Sequence, residues 1–304
     1  MEQTPGNAPL GTSAQIVAAG SDLRRTMFRI VRQLTLPDGA VSRQALFSGL
    51  ALILLLNAIS EKASGSLAQG FLPALFNTFD ISLIIWGAAI AAIALLWRDA
   101  PARPGRADIT VAALVGLAAL VPVPTLSALA LSGLAVWLYP SSDESLTRRA
   151  AAILLALTVP LMWARLLFAI ASESLLRVDS LLIALMLGTT ANGNVVPFAD
   201  GSGSLFIAPG CSSFTNVSLA VLSSAAIMAY YGRKWTWAAL GWSALACLAV
   251  IAINVGRIGM IGYFPAEYDL IHGTFGATLA GWLTLIAILV IGFQGVRSDA
   301  TAAR

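Results

Sequence analysis

Long apolar runs, separated by short clusters of charged residues, dominate this chain and restrict what it can fold into. Hydrophobic residues make up 58% of its 304 residues and charged residues only 11%, and the mean hydropathy is +0.83. A soluble domain usually carries about 25% charged residues, so most of this chain must face lipid rather than water. The composition predicts a polytopic integral membrane protein with its charges in the loops.

A transmembrane helix needs about 20 mostly apolar residues, and eight runs come near that length. The runs are 44–60, 78–97, 109–121, 124–139, 150–172, 211–231, 235–256 and 272–293. They predict an all-α membrane protein with about eight transmembrane helices. Two of the runs are short, and Val121-Pro122-Val123-Pro124 between them is either a kink in one helix or a turn between two.

The positions of the basic residues decide between kink and turn. The clusters lie at 24–43, 98–106, 148–149, 233–234 and 297. Positively charged loops stay in the cytoplasm, and the clusters alternate correctly along the chain only if Val121-Pro122-Val123-Pro124 is a turn. We therefore predict a multi-pass protein of the cytoplasmic (inner) membrane with both termini in the cytoplasm. The same topology puts the start of 211–231 on the outer face.

The domain organisation follows from the same pattern. Residues 1–43 are predicted to form a cytoplasmic tail, 44–293 a single transmembrane domain and 294–304 a second cytoplasmic tail. The tail segment 22–36 predicts a basic amphipathic helix on the membrane surface, with a solvated tail as the alternative. The first 20 residues lack the pattern of a cleavable signal peptide. Because the basic residues border apolar runs, the net charge of +3 indicates topology rather than binding to nucleic acid.

The segment between Arg149 and Cys211 has to cross the membrane once, although it contains a second apolar run at 178–188. That run is too short to span, so we predict a short interfacial or re-entrant helix. Asp200-Gly201-Ser202-Gly203 then separates two short β-prone runs, which predicts a small β-hairpin outside the membrane. The hairpin would lead the chain to Cys211.

Of the two cysteines, Cys211 has the more reactive setting. It follows Pro209-Gly210 and is predicted to open a helix, where unpaired N–H groups and the helix dipole favour a thiolate. The alternative is a small buried hydrophobic residue. Cys247 is expected to lie about 14 Å below the outer end of its span, at 1.5 Å per residue. It is therefore predicted to be inert and too deep to form a disulfide with Cys211.

Arg257 and His272 are predicted to lie on the same face as Cys211. Arg257 follows the span 235–256, and His272, the only histidine of the chain, begins the last span. An arginine at this position either snorkels to lipid headgroups or points into the bundle. Close helix packing at Gly256, Gly259 and Gly262 favours the second interpretation, and Asn254 shares a helix face with Arg257.

A cysteine, a histidine and an arginine supply the groups needed for thiol acyl transfer. The thiolate attacks a carbonyl, the imidazole accepts and returns a proton, and the guanidinium stabilises the oxyanion. One histidine and one outer cysteine leave too few soft ligands for a metal site. No metal and no cofactor are expected.

At these residues the chain resembles the exosortase/archaeosortase family of membrane-embedded cysteine transpeptidases. The matching motifs are Cys211-Ser212-Ser213, Asn254-Val255-Gly256-Arg257-Ile258 and His272. The resemblance covers about residues 175–285, and the first 150 residues fit only as an apolar multi-span region. It implies that Cys211 is the nucleophile, His272 the acid and base, and Arg257 the transition-state stabiliser. Ser213 stands where the family commonly has glycine, which leaves the subfamily open.

The resemblance also implies the partners: membrane lipids and secreted proteins that carry a C-terminal sorting signal. Such a signal has a short motif, a transmembrane helix and a basic tail, and it is cut on the periplasmic or extracellular face. Arg165, expected near the outer boundary of its span, is predicted to bind the substrate backbone or an acidic residue of the tag. The alternative for Arg165 is snorkelling. Asn254 is predicted as a second substrate-binding residue.

Two other classes of function compete with this interpretation. A transporter or lipid-linked glycan flippase would also be apolar and polytopic, but it usually has polar residues near the bilayer midplane, whereas the ionisable residues here gather at the edges. A non-catalytic membrane scaffold would need no reactive thiol. The sequence leaves open the tag motif, the acceptor and the group that orients His272, for which Asp269 is one candidate.

Overall fold

The computed structural model describes residues 40–141 and 146–302 and consists mainly of helices. Within these ranges there are eleven α-helices, and a two-stranded sheet lies between the seventh and the eighth. The helices are α1 (Arg43–Leu67), α2 (Phe71–Phe76), α3 (Leu83–Arg98), α4 (Arg106–Ala119), α5 (Pro124–Leu138), α6 (Leu146–Thr158), α7 (Ala164–Leu187), α8 (Phe214–Tyr230), α9 (Trp237–Tyr263), α10 (Tyr268–His272) and α11 (Thr274–Ala302). The strands are β1 (Val195–Pro197) and β2 (Ser204–Phe206). The basic helix predicted at 22–36 lies outside the described residues.

Four helical stretches in the described part of the chain are long and apolar enough to cross a membrane. They are Arg43–Leu67, Leu146–Leu187, Trp237–Tyr263 and Thr274–Ser298. Three shorter apolar helices, α3, α5 and α8, pack among them. Large aliphatic side chains face outward from the bundle, as with Leu185 at 79% and Ile90 at 68% exposure. This apolar exterior agrees with the membrane-protein character predicted from composition.

The Val121-Pro122-Val123-Pro124 segment separates two helices, as the charge pattern predicted. Helix α4 ends at Ala119 and α5 begins at Pro124. Proline suits the first position of a helix because the N–H that it lacks would have no partner there. The indole N–H of Trp137, near the end of α5, donates to Asp108 in the first turn of α4 at 2.9 Å. The two helices are therefore antiparallel.

Helices α6 and α7 form one continuous stretch of 42 residues. A π-helical segment, Val159–Trp163, joins them, and it contains Pro160, which cannot donate a backbone hydrogen bond. A second irregularity lies at Ala171, where the backbone has φ −116° and ψ 17°. The long stretch thus changes direction at two places without ending.

The run 178–188, predicted as a short interfacial or re-entrant helix, is helical but is continuous with α7. Residues 178–187 are the last turns of α7, and Gly188, with φ +68°, ends the helix in the left-handed conformation that glycine adopts readily. The side chains of Ile183 and Leu187 are buried in a hydrophobic cluster with α9. The run is therefore the packed end of a longer helix, beyond the irregularity at Ala171.

Helices α7 and α9 approach each other closely at two glycines. A Cβ atom added to Gly259 would collide with the side chain of Met186, and one added to Gly262 would collide with Leu187. A Cβ at Gly256 would meet open space. Two of the three glycines predicted to allow a close helix approach therefore do so.

The predicted β-hairpin is present and is joined to α9. Strand β1 pairs with β2 in antiparallel register, with Val195 opposite Phe206. At the turn, the backbone N–H and the hydroxyl of Ser202 both donate to Asp200, and they hold the pKa of this carboxyl below its usual value. The Ala199 N–H donates to the Gly262 carbonyl at 3.0 Å. The hairpin therefore rests on the last turns of α9, next to the region of Cys211.

Polar contacts between helix termini define one end of the bundle, which we call the basic end. There Arg43 forms an ion pair with Asp108 (Nε–Oδ1 2.9 Å), Asp99 accepts hydrogen bonds from the N–H and hydroxyl of Thr147, and Arg149 donates to the Ala229 carbonyl. The loops that the positive-inside rule assigned to the cytoplasmic side therefore meet at one end of the bundle. Helix α11 leaves toward this end and continues to Ala302, so most of the tail predicted at 294–304 is helical.

Candidate active site

The opposite end of the bundle, which we call the site end, carries the hairpin, the start of α8, the end of α9 and α10. Helix α8 begins at Phe214, three residues later than predicted, and Cys211 closes a 3-10 turn that begins at Pro209. The Cys211 N–H donates to the Ala208 carbonyl at 2.9 Å, and the Ser212 N–H donates to the Pro209 carbonyl at 3.2 Å. The prediction that Cys211 opens a helix was therefore wrong, because the 3-10 turn precedes the helix.

The next two backbone N–H groups are also occupied. The Ser213 N–H donates to Asp179 Oδ2 at 3.0 Å, and the Phe214 N–H donates to the hydroxyl of Ser212 at 3.2 Å. All four N–H groups from 211 to 214 thus have an acceptor within the chain. Side chains rather than free helix N–H groups surround the half-buried Cys211 thiol and decide its chemistry.

His272 lies beside Cys211. Its Nε2 atom is 4.0 Å from Cys211 Sγ, within the range of a hydrogen bond to sulfur. The exposed imidazole stacks on the ring of Tyr268, with a centroid separation of 4.9 Å and an interplanar angle of 12°. Sequence reasoning suggested Asp269 as the group that orients His272, but it did not single out Tyr268, whose ring limits rotation of the imidazole.

Arg257, near the end of α9, holds the backbone of His272. Its Nε donates to the Ile271 carbonyl at 3.3 Å, and its Nη2 donates to the His272 carbonyl at 3.2 Å. These carbonyls lie at the end of α10, where the last carbonyl groups of a helix have no N–H donor within the helix. Arginine has five N–H donors, so the guanidinium retains donors for an oxyanion while it fixes the position of His272.

Asn254, one helical turn before Arg257 on α9, contacts the nucleophile segment. Its Nδ2 donates to the Cys211 carbonyl at 2.7 Å and to the Ser213 hydroxyl at 3.1 Å. The amide hydrogens of Asn254, predicted to bind substrate, are therefore directed at the chain itself. The hydroxyl of Ser213, where the resembled family commonly has glycine, serves as one of the two acceptors.

Arg165 lies near the site in a neighbouring cavity. It lines a space of about 420 Å³ that extends to Pro209, two residues before Cys211. A second cavity, of about 780 Å³, lies beside His272, and Asp80 lines both spaces. The predicted interaction of Arg165 with substrate stays a prediction.

Asp179 is the site residue that sequence reasoning missed. It is only 5% exposed, and its Oδ2 accepts hydrogen bonds from the Ser212 hydroxyl at 2.8 Å and from the Ser213 N–H. The available signal was a carboxyl group at the start of the apolar run 178–188. A buried carboxyl needs hydrogen-bond donors, but the sequence does not show which donors these are.

No protein-family model, curated protein or solved structure matches this chain. The site must therefore be interpreted from its own geometry. Within the described residues, no group of three or more His, Cys, Asp or Glu side chains is arranged to hold a metal ion. The groups at hand are a thiol, an imidazole and a guanidinium at one end of an apolar helical bundle.

Proposed function

We propose that this protein is a membrane-embedded cysteine transpeptidase or protease of the exosortase/archaeosortase type. Its substrates are secreted proteins with a C-terminal sorting signal, which it cleaves through a thioester intermediate. The observation that carries the proposal is the 4.0 Å approach of Cys211 Sγ to Nε2 of His272. These residues are 61 positions apart in the chain, and His272 is its only histidine.

The proposal includes a topology of about eight transmembrane helices with the basic end in the cytoplasm and the site end outside. The four long apolar helices support it, as do the shorter helices α3, α5 and α8 packed among them. The grouping of Arg43, Arg149 and their partners at one end supports this orientation under the positive-inside rule. The thiol then meets its substrates on the periplasmic or extracellular side of the inner membrane.

In the first chemical step, His272 Nε2 accepts the proton of the Cys211 thiol. The thiolate sulfur attacks the carbonyl carbon of the scissile peptide bond, a C–S bond forms, and the carbonyl π electrons move to its oxygen. Arg257 donates a hydrogen bond to that oxyanion from the N–H groups not used by Ile271 and His272. The backbone N–H groups of 211–214 already have acceptors, so this role falls to a side chain.

In the second step, the oxyanion collapses and the C–N bond breaks. The imidazolium of His272 gives its proton to the leaving amine, and the acyl group stays on Cys211 as a thioester. An amine or a water molecule then attacks the thioester carbonyl and transfers a proton to His272. The released sulfur recovers this proton, which restores the thiol. Attack by an amine makes a new amide bond, and attack by water makes a carboxylic acid.

The thiol–imidazole pair can be tested without knowing the substrate. In the purified full-length protein, we expect His272→Gln to slow alkylation of Cys211 by iodoacetamide at neutral pH by about tenfold or more, since the neighbouring base is lost. Labelling at Cys211 is measured by mass spectrometry of the peptide that contains it. Cys247→Ala is the matched control and leaves the rate unchanged. Equal rates for wild type and His272→Gln would contradict the proposed chemistry.

Cleavage itself is tested by co-expression with secreted proteins from the same genome that share a C-terminal motif, an apolar span and a basic tail. The wild type is expected to shorten such a protein and to form a thioester adduct at Cys211. Cys211→Ser and Cys211→Ala abolish cleavage, whereas a scaffold or a transporter would keep its function in both variants. Processing by stably expressed Cys211→Ala would rule out the transpeptidase.

A further inference from the structure

The segment 211–213 needs an external support, because it belongs to no helix. Cys211 closes the 3-10 turn, and Ser212 and Ser213 lie between that turn and α8, which begins at Phe214. The position of the Cys211 thiol is therefore set by the groups that hold this short piece of backbone. Two buried side chains from different helices do so: Asp179 on α7 and Asn254 on α9.

The two side chains hold complementary groups. Asp179 Oδ2 accepts from the Ser212 hydroxyl at 2.8 Å and from the Ser213 N–H at 3.0 Å. Asn254 Nδ2 donates to the Cys211 carbonyl at 2.7 Å and to the Ser213 hydroxyl at 3.1 Å. Both residues are buried, with exposures of 5% and 6%. Buried hydrogen bonds are costly to leave unmade, so these contacts strongly restrict the segment.

The two supports are themselves fixed relative to each other. Helices α7 and α9 are in direct contact where Gly259 meets Met186 and Gly262 meets Leu187. Helix α9 also carries Arg257, which holds the carbonyl of His272. Asn254 and Arg257 therefore support the nucleophile and the base, respectively, from adjacent turns of one helix.

We propose that Asp179 is a positioning residue for the nucleophile and that it acts together with Asn254 as a clamp on residues 211–213. This proposal rests on the proposed function, since it gives Asp179 the task of keeping the thiol within reach of His272. Asp179 contacts the segment after the nucleophile and not the thiol itself. Loss of its acceptor oxygen frees the Ser212–Ser213 backbone and lets the thiol leave the imidazole.

The test is a double-mutant cycle on the rate of Cys211 alkylation by iodoacetamide, measured with the full-length protein in detergent. The four proteins are wild type, Asp179→Ala, His272→Gln and the double variant. Asp179→Ala is expected to slow the reaction about tenfold, since a buried acceptor of two hydrogen bonds is lost. In the His272→Gln background the same change is expected to alter the rate by less than about twofold, because no imidazole remains to be misplaced.

Asp179→Asn is the conservative variant, because its side-chain oxygen can accept from both Ser212 and Ser213. It is expected to react within about threefold of the wild-type rate. Ser180→Ala is the matched control for removal of a buried polar group from the same helix. Ser180 is fully buried, and its hydroxyl has no hydrogen-bond partner in the part of the chain that the structure describes. This control keeps the wild-type rate.

Thermal unfolding of each variant separates positioning from loss of the fold. If Asp179→Ala does not unfold cooperatively, Ser212→Ala replaces it, since it removes one of the two donors to Asp179. Its expected effect is about threefold, and this effect disappears in the His272→Gln background.

Three results would overturn the clamp: an unchanged rate in a folded Asp179→Ala protein, the same slowing with and without His272, or an Asp179→Asn protein as slow as Asp179→Ala. Each is distinguishable from failure of the proposed function. If the proposed function fails, His272→Gln alone leaves the alkylation rate of Cys211 unchanged.

Discussion

The two ends of the helical bundle are both tied together by polar contacts, but the contacts differ in kind. At the basic end, charged side chains meet charged or polar partners, as in the Arg43–Asp108 ion pair and the Asp99–Thr147 hydrogen bonds. The ion pair tolerates small shifts, because charge attraction has little directional requirement.

At the site end, most contacts are directional hydrogen bonds to the backbone. Asn254 holds the Cys211 carbonyl, Arg257 holds the His272 carbonyl, and Asp179 holds the Ser213 N–H. These bonds weaken quickly with distance and angle. The two ends are therefore held together by different physics, and under the proposed function one end sets the orientation in the membrane and the other the reactivity of the thiol. Substitutions at the two ends should separate the two properties.

The largest difference is expected between Arg257→Met and Arg43→Met. Arg257→Met removes both donors to the end of α10, so His272 loses its backbone support, and Cys211 alkylation should slow about tenfold or more. Arg43→Met is the same substitution at the basic end, and the rate of Cys211 alkylation should stay at the wild-type value. The measurement is the iodoacetamide rate at neutral pH. A similar loss in both variants would remove the distinction between the ends.

The next effect concerns two glycines of α11. A Cβ at Gly276 would collide with the Ile271 carbonyl, one of the acceptors of Arg257, whereas a Cβ at Gly281 would meet open space. Gly276→Ala should destabilise the protein by about 1–3 kcal/mol and slow Cys211 alkylation. Gly281→Ala should be neutral or stabilise the helix by up to about 1 kcal/mol. Thermal unfolding and alkylation rates check both, and equal behaviour of the two variants would contradict the packing of α10 on α11.

A smaller effect is expected for Asp108→Asn at the basic end. The variant loses the ion pair with Arg43 and one of its two acceptor oxygens: Oδ2 accepts from the Gly105 N–H and Oδ1 from the Trp137 indole, and an asparagine can accept from only one of them. Its stability should fall by about 1 kcal/mol, and its alkylation rate should not change. A slower Cys211 in this variant would show that the two ends are coupled.

The smallest effect is a pH dependence of the hairpin. The pKa of Asp200 is lowered, chiefly by the hydrogen bond from the Ser202 N–H. The carboxylate therefore stabilises the turn fully above the usual carboxyl pKa of about 4, and this contribution is lost as the pH falls through the lowered value. The protection factors for amide exchange in the 200–203 turn should fall in acid, while those of Asp200→Asn should not. Cys211 alkylation should not follow this transition.

The sequence predicted the end of the bundle where the site residues lie, but not their geometry. The order of the basic clusters along the chain was enough to put Cys211, Arg257 and His272 at the same end, because successive spans alternate in direction. The 4.0 Å contact between Cys211 and His272 depends on the packing of α8 against α9 and of α9 against α10. The hairpin and the turn at Val121–Pro124 were predictable because Gly, Pro, Asp and Ser restrict the backbone locally.

Three features could not be predicted, for related reasons. The start of α8 was placed three residues early, because the N–H groups of Cys211 and Ser212 donate to carbonyls three residues back and form a 3-10 turn before the α-helix. The run 178–188 was predicted as a short interfacial or re-entrant helix, because its continuity with α7 and its burial against α9 are invisible in hydropathy. Asp179 was overlooked for the same reason, since its partners Ser212 and Ser213 lie 33 and 34 positions away.

The sequence by itself determined the solvent of this protein, its helical class and the grouping of most basic loops at one end of the bundle. The free energies of moving apolar side chains into lipid and charged side chains across it are sums over single residues, so composition and residue order decide these features. Only the tertiary structure decided which side chains hold Cys211 and His272. Hydrogen bonds between residues distant in the chain require positions that helix packing creates, as at Gly259 and Gly262, and no local pattern encodes those positions.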